Sequence, residues 1–186
     1  LIDAPKDRYH PDKKDRPLAS GKITPHQAIV VFFFLLLGSL WSASLISLSF
    51  LSVVSAYLVM TVAYSLLLKR ILFLDVIFIA VGFVLRVVGG GVAIGVTVTG
   101  WTMVLIFLFT LFLAIGKRRQ EIKHLERKSK KTRDVLSLYT IELIDQLHAI
   151  IVPIVVTSYI FYTFSERENN LFFIATIPLI IYSFFR

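Results

Sequence analysis

Apolar residues in this chain come in long blocks and never in the strict alternation of a half-buried strand. Six blocks can be drawn, at about Gln27–Ser47, Leu48–Leu68, Ile71–Ile94, Trp101–Gly116, Ile141–Thr163 and Leu171–Phe185. A helix needs about 20 consecutive apolar residues to cross the hydrocarbon core of a bilayer, and most blocks approach that length. Within lipid every backbone amide must be satisfied inside the segment, and barrel strands would alternate in polarity, so each block is predicted as a helix. The first two blocks nearly touch, which requires a tight turn within the Ser-rich stretch Ser42–Ser52. The fourth is short for a span, and the sixth runs to the end of the chain. The expected fold is all-α: a polytopic transmembrane helical bundle of about six spans, forming one domain over residues 1–186.

The polar residues between the blocks orient this bundle. Residues 1–26, the Lys69–Arg70 turn and residues 117–140 hold six, two and nine Lys or Arg, seventeen of the twenty in the chain. Positive charge collects in short cytoplasmic loops, so these three segments are predicted on the cytoplasmic side of a multi-pass protein of the inner (plasma) membrane. Residues 1–26 would then be a loop rich in polar chemistry, and residues 117–140 a basic loop. The same asymmetry accounts for a formal net charge of +8 without a nucleic-acid partner. Basic loops can also do no more than set orientation and touch anionic lipids. With no cysteine, disulfides, thiolate metal sites and cysteine nucleophiles are excluded. The polar start lacks the basic region and apolar core of a signal peptide, and it has no initiator Met, so the chain is expected to be a fragment.

Acids stand out against this basic background. Asp3 and Asp7 are four residues apart, a spacing that shares a helix face, although Pro5 between them leaves the local geometry open. Their carboxylates suit Mg²⁺, a hard cation that often bridges to substrate phosphates. His10, Lys13 and Arg16 follow in a segment stiffened by Pro11 and Pro17, and they offer donors to phosphate oxygens. Arg86 lies roughly 22 Å from Ile71 along an untilted helix, where an Arg either faces a polar cavity with a partner or snorkels towards the outer interface. Lys69 and Asp75 flank a turn between spans. Lys117 and Arg118 end a span, with Glu121 placed to pair locally with them. Asp145 could satisfy a neighbouring cation, and His26, His124 and His148 are read as structural.

The first loop, DxxxDRxHPxKxxRPLASG, resembles the first aspartate-rich motif and following loop of the UbiA prenyltransferase superfamily. The family motif starts with an Asn and an Asp that would lie just before Leu1. The continuation HPxKxxRP is similar to one branch, the decaprenyl-phosphate phosphoribosyltransferases. YSLLLKRILFLD, with Tyr64, Lys69 and Asp75, resembles the YxxxxK element of the family, and GFVLRVVGGGVAIG its Arg-then-glycine helix. GKRRQEIKHL, with Lys117, Arg118 and Glu121, falls where aromatic prenyltransferases carry a second DxxxD.

The resemblance implies a UbiA-like bundle lacking its N-terminal helices and its last helix. It also implies a transferase moving 5-phosphoribose from phosphoribosyl diphosphate to a polyprenyl phosphate, in the synthesis of cell-envelope arabinose and lipid-linked sugars. Mg²⁺ would be held by Asp3 and Asp7, with Glu121 as a further candidate. The phosphate groups would be bound by His10, Lys13, Arg16, Tyr64, Lys69, Arg86, Lys117 and Arg118. The alternative enzyme is a prenyltransferase joining a polyprenyl chain to an aromatic acceptor such as 4-hydroxybenzoate, but KRRQE does not supply the second DxxxD it expects. A small membrane transporter is a third reading, and it expects charges in paired halves near midplane where only Arg86 qualifies.

Overall fold

The computed structural model describes residues 15–127, 138–166 and 171–185. Six α-helices are found among them: α1 (Pro25–Ile46), α2 (Leu48–Leu66), α3 (Leu74–Ile94), α4 (Gly100–Arg127), α5 (Ile141–Glu166) and α6 (Leu171–Phe185), with a 3₁₀ turn at Leu68–Arg70. The described residues contain no strand. The chain divides into two compact units, residues 1–51 and 52–186.

In the first unit, α1 starts on a capping box. The Thr24 hydroxyl accepts from the Gln27 N–H at 3.3 Å, and the Gln27 side chain accepts from the Thr24 N–H at 3.0 Å. Pro25 opens the helix, where its missing N–H costs nothing. Ser47 makes the tight turn expected between the first two blocks. Its N–H reaches the Ala43 carbonyl at 3.4 Å, closing α1, while its hydroxyl accepts from the Phe50 N–H at 3.0 Å, opening α2. Ala43 alone of α1 is buried, and Phe34, for example, is 76% exposed, a surface that suits lipid.

In the second unit, α4 packs against α3 and α5, and α5 against α6. The core is Val76 of α3, Ala114, Ile115 and Ile122 of α4, Tyr139, and Ile144, Ile151 and Val155 of α5. Two helix boundaries differ from those read from hydropathy. The third block begins at Ile71, but α3 begins at Leu74, because Phe73 sits in the left-handed region at φ 67 and ψ −36. That conformation is strained for a bulky residue, by about 1–3 kcal/mol, and persists only where neighbours enforce it. Here the Phe73 N–H donates to the Tyr139 hydroxyl at 3.1 Å, and the two rings meet edge to face at 6.1 Å.

The fourth block is no short span. α4 continues past Gly116 through KRRQEIKHLER to Arg127, so the segment expected as a loop over residues 117–140 opens with three further helical turns. Burial explains the extension. Ala114, Ile115, Arg118 and Ile122 share one buried face, while Lys117, Gln120 and Lys123 are exposed. Hydropathy averaged over this stretch sees only the charges, whereas the helix follows the stripe. At 28 residues α4 is about 42 Å long, beyond the roughly 30 Å of a hydrocarbon core. Five helical segments, from Pro25–Ile46 to Ile141–Ser165, combine span length with mean hydropathy from 1.8 to 2.4, and Phe173–Phe184 is a shorter apolar helix.

Of the glycines at 89–91, Gly91 has a clear steric reason. The chain turns back after α3 through Gly95 at φ 71, and the Val96 N–H returns to the Gly91 carbonyl at 2.8 Å. A β-carbon on Gly91 would stand 2.7 Å from the Val96 carbonyl oxygen and 2.7 Å from a Val98 methyl, whereas one on Gly90 would meet nothing. Gly91→Ala is therefore expected to destabilise by about 1–3 kcal/mol through overpacking. Gly90→Ala should be neutral or stabilising by up to about 1 kcal/mol through helix propensity. Apparent Tm values of the two variants in detergent micelles test the contrast, and equal shifts would refute it.

Candidate functional site: a buried carboxylate between three segments

The polar centre of the second unit is Asp75, in the first turn of α3, where a carboxylate suits the helix N-terminus. Its side chain is 1% exposed, so the charge must be paired to be tolerable. Oδ2 accepts from Arg118 Nε of α4 at 2.9 Å, and Oδ1 accepts from the Tyr139 hydroxyl at 2.7 Å. The pairing extends on both sides. Arg118 Nη1 donates to Glu121 Oε2 at 2.6 Å, one turn along α4, and the Tyr139 hydroxyl accepts the strained Phe73 N–H. Tyr64, near the end of α2, lies within electrostatic reach of Arg118. Burial, reinforced by the hydrogen bond to Asp75, pushes the Tyr139 phenol well above its usual value.

Next along α4, Arg119 turns the other way. Its Nε and Nη2 donate to the two Asp145 oxygens of α5 at 2.7 and 3.2 Å. This pair is largely exposed, at 39% and 49%, where such pairs contribute little. Asp145 thus satisfies a neighbouring cation, as its sequence position suggested. His148 bonds the Ile144 carbonyl through Nδ1 at 3.0 Å and meets the Phe112 ring edge to face at 5.2 Å, a packing role.

The residues singled out from sequence fall into four places. Asp3, Asp7, His10 and Lys13 lie outside the described residues. Arg16 is an exposed residue of the first unit. Arg118 and Glu121 are joined within the Asp75 cluster. Their contact with α3 brings the Lys117–Glu121 stretch to the end of the unit where the Lys69–Asp75 turn lies, and the turn itself packs on α3. Lys117 is exposed beside the cluster, and Lys69 is half-buried in the turn. Arg86 stands apart, eleven residues beyond Asp75 on α3 and so about 16 Å along the axis. It bonds the Tyr57 hydroxyl, and its guanidinium lies 5.1 Å from the Tyr57 ring centroid and 4.8 Å from that of Phe83. Counted from Leu74, it sits about 18 Å along the helix, shallower than the estimate from Ile71.

Tyr139 was not singled out from sequence. It follows a basic segment and precedes the Thr140 cap of α5, whose hydroxyl accepts the Leu143 N–H at 3.1 Å. Nothing in its neighbours marks it as a partner for an acid 64 positions away. Asp75 was visible within the YSLLLKRILFLD element, though only as a flank of the turn. Among the described residues no group of three or more His, Cys, Asp or Glu converges to hold a metal, and Asp75 and Glu121 are both engaged by Arg118.

Comparison with known proteins places the whole chain in one family context. The UbiA prenyltransferase family matches residues 1–186. A decaprenyl-phosphate phosphoribosyltransferase of Mycolicibacterium smegmatis is 30% identical over 91% of this chain and 54% of its own length. One of Corynebacterium glutamicum is 31% identical over 90% of this chain and 51% of its own. An uncharacterised protein of Sinorhizobium fredii is 36% identical over 65% of this chain and 23% of its own. The chain thus spans about half the length of the two named transferases it matches.

Two outcomes follow from the cluster. Arg118→Met strands a buried carboxylate and should cost about 3–5 kcal/mol, whereas Arg119→Met should leave the apparent Tm nearly unchanged. Comparable losses from both would contradict the burial argument. Tyr139 should stay protonated above pH ~10, where a free phenol ionises. Because its folded value is raised, its contribution to stability is complete below pH ~10 and is lost as pH rises through the folded value. Ultraviolet titration of the parent against Tyr139→Phe should therefore show no missing tyrosinate near pH 10.5.

Proposed function

The chain belongs to the UbiA prenyltransferase family, a family of transferases, and from this we propose that the protein moves 5-phosphoribose from phosphoribosyl diphosphate to a polyprenyl phosphate at the cytoplasmic membrane face. The observation that carries this reading is the likeness, over nine-tenths of the chain, to two proteins named decaprenyl-phosphate phosphoribosyltransferase. The loop HPDKKDRP supports the same donor. The segment Lys117–Glu121 favours it over aromatic prenylation, since its one acid, Glu121, is held by Arg118. A role in making lipid-linked sugars for the cell envelope follows from such a product.

The chemistry asked of the site is modest. An oxygen of the polyprenyl phosphate attacks C1 of the phosphoribose, the C1–O bond to diphosphate breaks, and the bonding electrons leave with diphosphate. The attacking phosphate is already ionised, so no strong general base is required. The demand is for positive charge around the donor. His10, Lys13, Arg16, Tyr64, Lys69 and Lys117 are assigned to donor and acceptor phosphates on the water side, and Arg86 to the membrane side. Asp3 and Asp7 would hold Mg²⁺, whose charge offsets that of the diphosphate. The concentration of Lys and Arg in the polar segments assigned to the cytoplasm matches a water-soluble donor, and the apolar helix faces match a lipid acceptor.

The full-length protein, incubated with labelled phosphoribosyl diphosphate and polyprenyl phosphate, should form a lipid-linked product that chelator abolishes and added Mg²⁺ restores. Asp7→Asn and Arg16→Ala should each reduce turnover by about a hundredfold or more while membrane insertion is kept. No product from that pair, together with prenylation of hydroxybenzoate, would overturn the reading in favour of aromatic prenylation.

A further inference from the structure

Arg118 is grouped by sequence with the phosphate-binding cations, but its geometry gives it different work. It is 7% exposed, and Nε and Nη1 are each committed to a carboxylate, at 2.9 and 2.6 Å. Two acids and one guanidinium leave these three groups with a formal charge of −1, so Arg118 has no excess positive charge to offer a phosphate. Its neighbour Lys117, one residue earlier on α4, is exposed. Asp75 uses one oxygen for α4 and the other for Tyr139, and Tyr139 in turn holds the Phe73 turn in a conformation it would not adopt alone.

We propose that Asp75, Arg118 and Tyr139 are one positioning unit, which sets the polar end of α4 against the start of α3, and that Arg118 acts on the reaction through Asp75 and not by touching a phosphate. The inference rests on the phosphoribosyl-transfer reading for its kinetic consequences, and on the geometry alone for its energetic ones. Lys117 and the turn carrying Lys69 are then held in register by a buried hub, which is what transition-state stabilisation by fixed charges needs. Loosening the hub degrades alignment, which lowers kcat, while the groups that bind ground-state donor remain, which spares KM.

The test uses full-length protein carrying Asp75→Asn, Arg118→Gln, the double substitution, Tyr139→Phe, and Lys117→Gln for comparison. Each of Asp75→Asn and Arg118→Gln should lower kcat about tenfold or more, with KM for phosphoribosyl diphosphate changed by less than about threefold. The double variant exchanges an ion pair for two amides that can bond each other, so it should regain kcat and heat stability relative to both singles. That non-additivity marks two residues acting as one unit. Tyr139→Phe alters no charge and should lower kcat about threefold to tenfold at constant KM, which keeps the proposal testable if Arg118→Gln fails to fold. Lys117→Gln should instead raise KM.

A rise in KM above about tenfold for Arg118→Gln with kcat kept would overturn the proposal. So would a double variant as heat-stable as the parent but no more active than Arg118→Gln, or Tyr139→Phe with unchanged kcat. If the parent transfers no phosphoribose, the functional reading fails separately. The unit is then judged on heat stability, and strictly additive losses for Asp75→Asn and Arg118→Gln would overturn it.

Discussion

An ionised carboxylate cannot be left without partners in a protein interior, and Asp75 is the place where this constraint acts on the second unit. One oxygen is satisfied by α4 and the other by Tyr139, two residues before α5. Both partners come from outside α3, so the start of α3, the polar end of α4 and the entry to α5 meet at this carboxylate. The Phe73 backbone shows how firmly they do so. Its left-handed conformation is held by the Tyr139 hydroxyl, the same group that completes Asp75.

The long α4 follows from this constraint and from helix geometry. Successive residues point roughly 100° apart, so Arg118 and Arg119 face different neighbours, one towards α3 and the other towards α5. The first is buried and bound at two atoms; the second is largely exposed. Similar residues in adjacent positions therefore have unequal consequences, and burial, not charge, separates them. For the proposed transfer, a rigid end to α4 would matter because fixed cations stabilise developing charge without having to reorganise.

Much of the fold was legible in the sequence. The blocks of apolar residues located the helices because a lipid-facing helix is apolar all round, and α1, with only Ala43 buried, shows that pattern plainly. The Ser-rich turn was legible too, since a serine can cap two helix ends, as Ser47 does. The end of α4 was not, because its buried stripe includes a charged residue that hydropathy counts as solvent-loving. The start of α3 was missed by three residues because Phe73 is apolar yet non-helical, held so by a contact 66 positions away.

The candidate site divides in the same way. Asp3, Asp7, His10, Lys13 and Arg16 could be proposed from a short, contiguous motif, and all but Arg16 lie outside the described residues. So could the Arg118–Glu121 pairing, which is a local matter of helical spacing. By itself the sequence determined the membrane-spanning helical class, the family and the concentration of phosphate-compatible residues in a few polar segments, since these depend on composition and near spacing. Only the tertiary structure decided that Arg118 is spent on Asp75 and that Tyr139 completes the cluster. It also decided that Arg86 rests against Tyr57 and Phe83. Such pairings depend on which helix faces meet and on the need to neutralise a buried charge, and no local pattern encodes either.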